Sequence, residues 1–452
     1  MRVLAAAAAL LLATALGATA APPVPVPLMV PGVGATASPN VTHLGTIPLD
    51  GVGISLRTVT VGKQVRAVVS GAAGLSVYDA TDPARPLLMG HLPFYNWENE
   101  DVAVSPDGRT AFMTDFFGAL YLHVVDISDP SLMRVVGTLT EGAHTVECAD
   151  RACGYLYGSE GQTYDVRDRT RPRRVAAGSD WGTQVGVGGS GHNVTRDPSG
   201  VFLADNSSEI VLFRQVGSPL RVRAITRGGI SKGTAYQHNS LWPRSGKYRS
   251  RSTTTGPLRD GELLLGEGET NFETACNSGS GAFSTWSMVG FDKGRSPRQL
   301  DVLRPVTGKP GGVDPAVNAM GCSGHWFTHK DARDGSLLIV GAWYEHGTRF
   351  LKVDPRTGKI RQVGWFQPQR GATSAAYWMG KDVVWAVDYH SGIDVLRFDE
   401  DPKKVPTARA VEASWFERLD TDPFAAALRE VCSAGAKATP LQHARLHAAV
   451  VG

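Results

Sequence analysis

The stretch HVVDISDP at residues 123–130 decides the fold, because near copies of it recur along the chain. Close copies are SVYDATDP at residues 76–83 and QTYDVRDR at residues 162–169. Weaker copies, which bring the number to seven, lie at residues 212–214, 289–292, 352–355 and 396–399. Most copies are roughly 40 to 60 residues apart, which is the period of a four-stranded propeller blade. The repeat therefore predicts an all-β, seven-bladed β-propeller.

Each clear copy ends a β-rich run in an Asp and a turn. Asp and Pro favour turns whatever a protein does, so we interpret these aspartates as turn formers without a chemical role. A second periodic feature is a glycine between two β-rich runs, as in the hairpin that joins the first and second strands of a blade. These glycines are Gly108, Gly200, Gly246 and Gly335. The predicted order is inner strand, hairpin, second strand, third strand and outer strand.

A segment near the N-terminus, HLGTIP at residues 43–48, resembles outer-strand ends of the repeat such as MGHLP at residues 89–93. The first three strands of a blade do not precede it. We therefore expect it to complete the last blade, which closes the ring and removes exposed strand edges. The propeller is predicted to span residues 41–408.

The two ends of the chain differ from the repeat. Residues 1–20 are typical of a secretory signal peptide, with Arg2, an apolar run and a small-residue cleavage site. The run is shorter than the roughly 20 apolar residues of a spanning helix, so we expect a secreted, extracellular protein without a transmembrane segment. Residues 21–40 are predicted to be a linker. Residues 409–452 are predicted to hold a short helix, capped by Asp422, and a tail.

Charge and cysteine content narrow the protein class. The formal net charge is +3 and the basic residues are scattered, which argues against a nucleic-acid partner. Five cysteines suit an oxidising compartment. Cys148 and Cys153 bracket a short turn and are predicted to form a hairpin disulfide; Cys276 and Cys322 are the next pair, and Cys432 is left over. We expect a monomer.

The copy VVDISDP at residues 124–130 resembles the repeat of the LVIVD family of exported bacterial propeller proteins. The resemblance covers about residues 53–401 and implies a fold rather than an activity. In plan, a propeller with histidines on its inner strands is also similar to the selenium-binding and methanethiol oxidase family. That similarity implies a copper site, by analogy of plan alone.

The candidate site comes from a common position in the blades. Counting back eight residues from a hairpin glycine reaches the start of the inner strand. Ala152 stands in for the glycine in the third blade, and the sixth blade needs about two extra residues. Five blades carry a Glu or a His at this position: Glu100, His144, His192, His238 and His325.

Inner strands converge on the central channel, so these side chains are expected to face one another at its mouth. Several imidazoles with a carboxylate suit a transition-metal ion such as copper, zinc or iron. Glu267 and Glu269 are candidates either for further oxygen ligands or for orienting a histidine from behind, and His329 is a third candidate for the supporting role. The alternative is that the same residues hydrogen-bond to neighbouring backbone and keep the blades in register.

The seventh and first blades break the pattern. They have small residues at the corresponding positions, at residues 372–374 and 53–55. This difference leaves one side of the mouth without ligands, as an open substrate position requires, and it also fits a plain polar funnel.

Two functions remain open. The first is a non-catalytic binding module whose top face takes a protein, a cell-envelope ligand or a small molecule. The second is a metal-dependent enzyme, for example an oxidoreductase, with the histidines as ligands and Glu100 as ligand or general base. No catalytic residue is assigned by a motif. Both functions use the same histidine cluster.

Overall fold

A computed structural model describes residues 23–25, 35–49, 52–93, 100–115, 120–187, 191–206, 209–229, 236–251, 253, 255–269, 281–305, 322–344, 346–368, 371–389 and 392–401. Its strands form seven antiparallel sheets. The first strands of most neighbouring sheets contact one another, and the seventh sheet contacts the first. The chain is therefore a seven-bladed β-propeller, as predicted.

Three short N-terminal strands come first: β1 (Val24–Pro25), β2 (Ala35–Ala37) and β3 (Val41–Ile47). The following strands form the blades in chain order, from inner to outer. Blades 1 to 4 comprise β4 (Gly53–Val61), β5 (Gln64–Gly71), β6 (Gly74–Asp79) and β7 (Leu87–Pro93); β8 (Ala103–Val104), β9 (Thr110–Asp115), β10 (Tyr121–Asp126) and β11 (Arg134–Leu139); β12 (Val146–Cys148), β13 (Tyr155–Gly158), β14 (Thr163–Asp165) and β15 (Arg173–Arg174); and β16 (Gly191–Arg196), β17 (Val201–Asn206), β18 (Glu209–Val216) and β19 (Ser218–Gly229).

The remaining blades follow the same plan, and a short helix, α1 (Trp181–Val185), connects blades 3 and 4. Blades 5 to 7 comprise β20 (Tyr236–Leu241), β21 (Leu263–Glu269), β22 (Ala282–Ser287) and β23 (Arg298–Leu303); β24 (Phe327–Asp331), β25 (Leu337–Ala342), β26 (Thr348–Val353) and β27 (Ile360–Pro368); and β28 (Thr373–Trp378), β29 (Val383–Asp388) and β30 (Gly392–Phe398).

The N-terminal strand β3 is the outer strand of blade 7. It pairs antiparallel with β30, with His43 opposite Leu396. The imidazole of His43 also lies 3.0 Å from the carboxylate of Asp394 on β30. The predicted closure of the ring by the N-terminal segment is confirmed.

The segment predicted as a linker contains two further pairings. β1 pairs with β7 at the outer edge of blade 1, and β2 pairs with β27 at the outer edge of blade 6. Both edges would otherwise leave backbone groups unpaired. Parts of this segment therefore belong to the sheets.

The aspartates at the ends of the third strands form turns. The carboxylates of Asp79, Asp126 and Asp354 each accept a hydrogen bond from the backbone N–H two residues on, at 2.9, 3.1 and 2.8 Å. These contacts fit the expected turn role. Blade 5 differs, because its third strand ends at Ser287 and Asp292 lies in a following 3-10 turn.

The core lies between the blades. Along β29, Val384 and Ala386 pack against β25 and β26 of blade 6, whereas Trp385 and Val387 pack against β4 and β5 of blade 1. Alternate residues of a strand face opposite sides of its sheet. Each fully buried aliphatic side chain contributes about 1.5–3 kcal/mol to stability. Both faces of a second strand such as β29 therefore hold neighbouring blades together.

The disulfide between Cys148 and Cys153 is present, with Cα atoms 4.8 Å apart. Cys322 is also disulfide-bonded, but Cys276 and Cys432 lie outside the described residues, so the second predicted pair stays a prediction. The predicted signal peptide and C-terminal helix lie outside them as well. Within the described part of the chain, no helix is long and apolar enough to cross a membrane.

Candidate metal centre

The five residues counted from the hairpins lie together where the inner strands begin. His192 and His238 lie within the inner strands β16 and β20, and the other three come just before an inner strand. Because the inner strands of successive blades converge, residues at the same position in each repeat reach a common point. They are Glu100, His144, His192, His238 and His325.

The carboxylate of Glu100 lies at the centre of this cluster. Its Oε2 atom is 3.1 Å from Nε2 of His238 and 3.3 Å from Nε2 of His144. Nε2 of His192 is 3.8 Å from the same oxygen. Nε2 of His325 is 3.3 Å from Oε1. All four imidazoles therefore turn the same ring atom toward one carboxylate.

The imidazoles follow one another from blade 3 to blade 6. Ring centroids are 4.5 Å apart for His144 and His192, 4.3 Å for His192 and His238, and 4.1 Å for His238 and His325. The side chains of His238 and His325 are fully buried. The cluster is thus a compact, largely buried arc of nitrogen donors.

Three of these residues lie close enough to share one ion. The ligand atoms of Glu100, His192 and His238 all lie within 4.8 Å of one another. Ligand atoms at about 2.0–2.2 Å from one ion lie up to about 4.4 Å apart. A small inward movement therefore brings the three atoms onto one ion, with His144 and His325 alongside.

His325 is oriented by a backbone group of the neighbouring blade. Its Nδ1 lies 2.6 Å from the carbonyl oxygen of Ser374, so Nδ1–H donates to that carbonyl. Its Nε2 atom therefore faces the Glu100 carboxylate at 3.3 Å, as a donor when the ring is protonated and with a lone pair when it is neutral. A histidine held by its other nitrogen in this way is typical of a metal ligand.

The residues of the cluster differ in their pKa values. Burial and the neighbouring histidines His325 and His192 lower the pKa of His238 to about 3, so it is neutral at pH 7. Burial opposes ionisation of Glu100, yet the surrounding imidazoles hold its pKa well below the usual value. Burial also opposes charge on His325, but Glu100 raises its pKa. Metal binding needs a neutral imidazole, so an ion would displace the proton that Glu100 favours on His325.

Glu269 reaches the cluster directly. Its Oε2 atom lies 3.1 Å from Nε2 of His192, the same ring atom that faces Glu100. A residue that orients a ligand from behind would contact the other ring nitrogen. This contact fits the oxygen-ligand alternative for Glu269 better than the supporting one. Its Oε1 atom accepts a hydrogen bond from the hydroxyl of Tyr344 at 3.0 Å.

The other two supporting candidates lie elsewhere. Glu267 is buried beside Gly324, its two carboxylate oxygens have no hydrogen-bond partner among the described residues, and burial raises its pKa well above the usual value. His329 lies further along β24, where burial lowers its pKa to about 4 and its charged neighbours are Asp331 and Arg244. Neither is placed against the imidazoles by these contacts.

Blades 7 and 1 have small residues at the corresponding strand position. Ser374 donates to the carbonyl oxygen of Ile54, Ser55 bonds Ser70 at 3.1 Å, and the hydroxyl of Thr373 donates to Asp388 at 3.1 Å. These hydroxyls are used within the two blades. The cluster is therefore one-sided.

The inner strands also carry charged residues that the repeat did not single out. Arg57 on β4 contacts Asp101 at 2.7 Å and Glu147 at 3.2 Å, which links blades 1, 2 and 3. Burial raises the pKa of Asp101 to about 7, despite the opposing effect of Arg57. The sequence signal for this layer was a lone arginine, the one charged residue of β4.

Comparison with known proteins shows the fold and no more. No family model matches the chain, and no curated protein matches it. The chain is similar to the β-propeller domain of Cps50 (Swd1) from Myceliophteria thermophila, with a TM-score of 0.51, 10% identity, and coverage of 78% of this chain and 99% of that one. That likeness supports a propeller.

A second solved structure is a putative 6-phosphogluconolactonase from Bacteroides uniformis. It has a TM-score of 0.45 and 13% identity, and the match covers 78% of this chain and 93% of that one. Similarity at this level carries no functional argument. The resemblances to the LVIVD and selenium-binding families stay predictions.

Proposed function

We propose that this propeller is an exported binding module that holds a transition-metal ion at the mouth of its channel. Glu100, His192 and His238 are the principal ligands, and His144 and His325 lie beside them. The donors are nitrogen and oxygen, which suits copper(II), zinc or iron rather than a thiolate-seeking ion.

The arrangement of His325 is the observation that carries this proposal. With Nδ1 bonded to the Ser374 carbonyl, Nε2 of His325 faces the Glu100 carboxylate, 3.3 Å away, and offers a lone pair there once its proton has been displaced. Two acceptors that face each other in a buried site repel unless a proton or a cation lies between them. The other three imidazoles also turn Nε2 toward the Glu100 carboxylate, so a cation among these atoms would be stabilised by all of them.

Export and a top-face partner are parts of the same proposal. The N-terminal sequence supports export, and the propeller fold supports a binding role, because propellers present loops around the channel mouth. A metal-loaded mouth would take a protein, a cell-envelope ligand or a small molecule that offers a donor atom to the ion.

A metal-dependent oxidoreductase is the second candidate function. It is favoured by the one-sided cluster, since blades 7 and 1 contribute small side chains such as Ser55 and Ser374. Catalytic metal sites keep a coordination position open for substrate or water.

Metal content tests the proposal. We would measure copper, zinc and iron by plasma mass spectrometry in protein exported without chelators, beside a His192→Ala/His238→Ala variant. A His91→Ala/His123→Ala variant is the matched control, since these histidines lie on β7 and β10. We expect near-stoichiometric metal in the wild type and the control and loss in the first variant. Absence of metal in the wild type, even after reconstitution, would overturn the proposal.

A further inference from the structure

Tyr344 has an unusual backbone conformation next to the cluster. It lies in the turn between β25 and β26 with φ at 28°, where residues other than Gly are uncommon. A bulky side chain in this region is strained and persists only when its surroundings hold it. The backbone carbonyl of Tyr344 accepts hydrogen bonds from Gly347 at 2.8 Å and from Thr373 at 2.9 Å, which hold the turn.

The side chain of Tyr344 connects two members of the cluster. Its hydroxyl donates to Oε1 of Glu269 at 3.0 Å, and Oε2 of Glu269 lies 3.1 Å from Nε2 of His192. Its ring centroid is 4.7 Å from that of His325. Tyr344 is only 1% exposed. The strained turn therefore delivers a buried hydroxyl to the outer oxygen of a cluster carboxylate.

We infer that Tyr344 is a positioning residue of the metal site, which fixes Glu269 with one oxygen toward the ion. The inference rests on the proposed function. A glutamate side chain has three rotatable bonds, and a hydrogen bond to its outer oxygen restricts it to the orientation in which the inner oxygen faces His192. Outer partners of this kind contribute about 10- to 100-fold to metal affinity.

Tyr344 could act through the packing of its ring or through its hydroxyl. Phenylalanine preserves the packing and lacks the hydroxyl, so this substitution separates the two roles. Tyr344→Phe keeps the ring against His325 and removes the hydroxyl. Tyr164→Phe is the matched control, because Tyr164 is fully buried and its hydroxyl has no hydrogen-bond partner among the described residues. The probe is cobalt(II), whose visible absorption reports the number and arrangement of its ligands.

We expect Tyr344→Phe to bind cobalt(II) about tenfold more weakly or worse, with an altered visible spectrum. Tyr164→Phe should match the wild type in affinity and spectrum. A double-mutant cycle supplies a second measurement: in a Glu269→Ala background, Tyr344→Phe should cause no further loss of cobalt(II) affinity, because the hydroxyl acts on the site through Glu269.

Wild-type affinity and spectrum in Tyr344→Phe would overturn the inference, as would additive effects in the cycle. A failure of the proposed function is recognised separately, because wild-type protein would then bind no cobalt(II), copper, zinc or iron. In that case the variants and the wild type would give the same result in every metal-binding measurement.

Discussion

Blades 3 to 6 and blades 7 and 1 use the same strand position for different purposes. In blades 3 to 6 it holds a histidine, and blade 2 supplies Glu100. In blades 7 and 1 it holds small residues such as Ser374 and Ser55, whose hydroxyls bond within their own side of the ring. The comparison teaches that the repeat fixes where a side chain points, while the residue type decides whether that point carries chemistry.

The small side still contributes to the cluster through its backbone. The carbonyl oxygen of Ser374 accepts the hydrogen bond from Nδ1 of His325. The two sides are therefore complementary, since one supplies the imidazoles and the carboxylate and the other supplies the carbonyl that orients His325.

The largest expected effect comes from single substitutions on the histidine side. His192→Ala and His238→Ala should each lower metal affinity by about a hundredfold or more, because each removes one of a few direct ligands. His144→Ala and His325→Ala should cost roughly tenfold, the size of a supporting contact. Isothermal titration calorimetry with zinc measures the series. Ser55→Ala is the control on the opposite side, and an equal loss there would break the distinction between the two sides.

A histidine outside the cluster should affect stability instead of metal binding. The unfolded chain protonates His329 near pH 6.5, whereas burial lowers the pKa of the folded imidazole to about 4. The unfolded state binds more protons between these values, so stability present above pH 6.5 is lost as the pH falls toward 4. Urea unfolding measures the free energy of unfolding at pH 7 and at pH 4. The decrease between these pH values should be about 2–3 kcal/mol smaller in His329→Gln than in the wild type. An unchanged difference would contradict this assignment.

The hairpin of blade 3 should contribute stability without much effect on metal. Replacing Cys148 and Cys153 by serine opens a short covalent loop, for which chain entropy gives about 2 kcal/mol. The loop begins after His144, so zinc affinity should change by less than about threefold. Denaturant unfolding and calorimetry on the same variant check both parts. A large loss of affinity would mean that the disulfide, and not the repeat position, orients His144.

The smallest effect is expected on the small side. Ser374→Ala removes the hydroxyl bond to Ile54 that joins blades 7 and 1, which should cost about 1 kcal/mol of stability. The backbone carbonyl that orients His325 remains, so zinc affinity should stay at the wild-type value. A loss of affinity would show that the serine side chain itself takes part in the site.

The repeat made the blades, their phase and the five mouth residues predictable, because each property depends on one periodic position. Glu269 and Tyr344 do not occupy a position that recurs from blade to blade. Glu269 ends the second strand of blade 5 and Tyr344 lies in a turn of blade 6, so their meeting depends on how neighbouring blades pack. The positive φ of Tyr344 has no signature in the sequence.

Short pairings were also beyond the sequence. β1 and β2 pair with β7 and β27 over two and three residues, too few for an alternating pattern. The Arg57 layer was missed because its partners Asp101 and Glu147 come from two other blades.

Anomalous diffraction tests the central claim most directly. Crystals of chelator-free protein would be measured on both sides of the copper, zinc and iron absorption edges. The account predicts one strong anomalous peak at the channel mouth, about 2.0–2.2 Å from Nε2 of His192, Nε2 of His238 and a carboxylate oxygen of Glu100. A channel mouth without a peak in crystals supplied with these ions, or a peak confined to surface histidines, would contradict it.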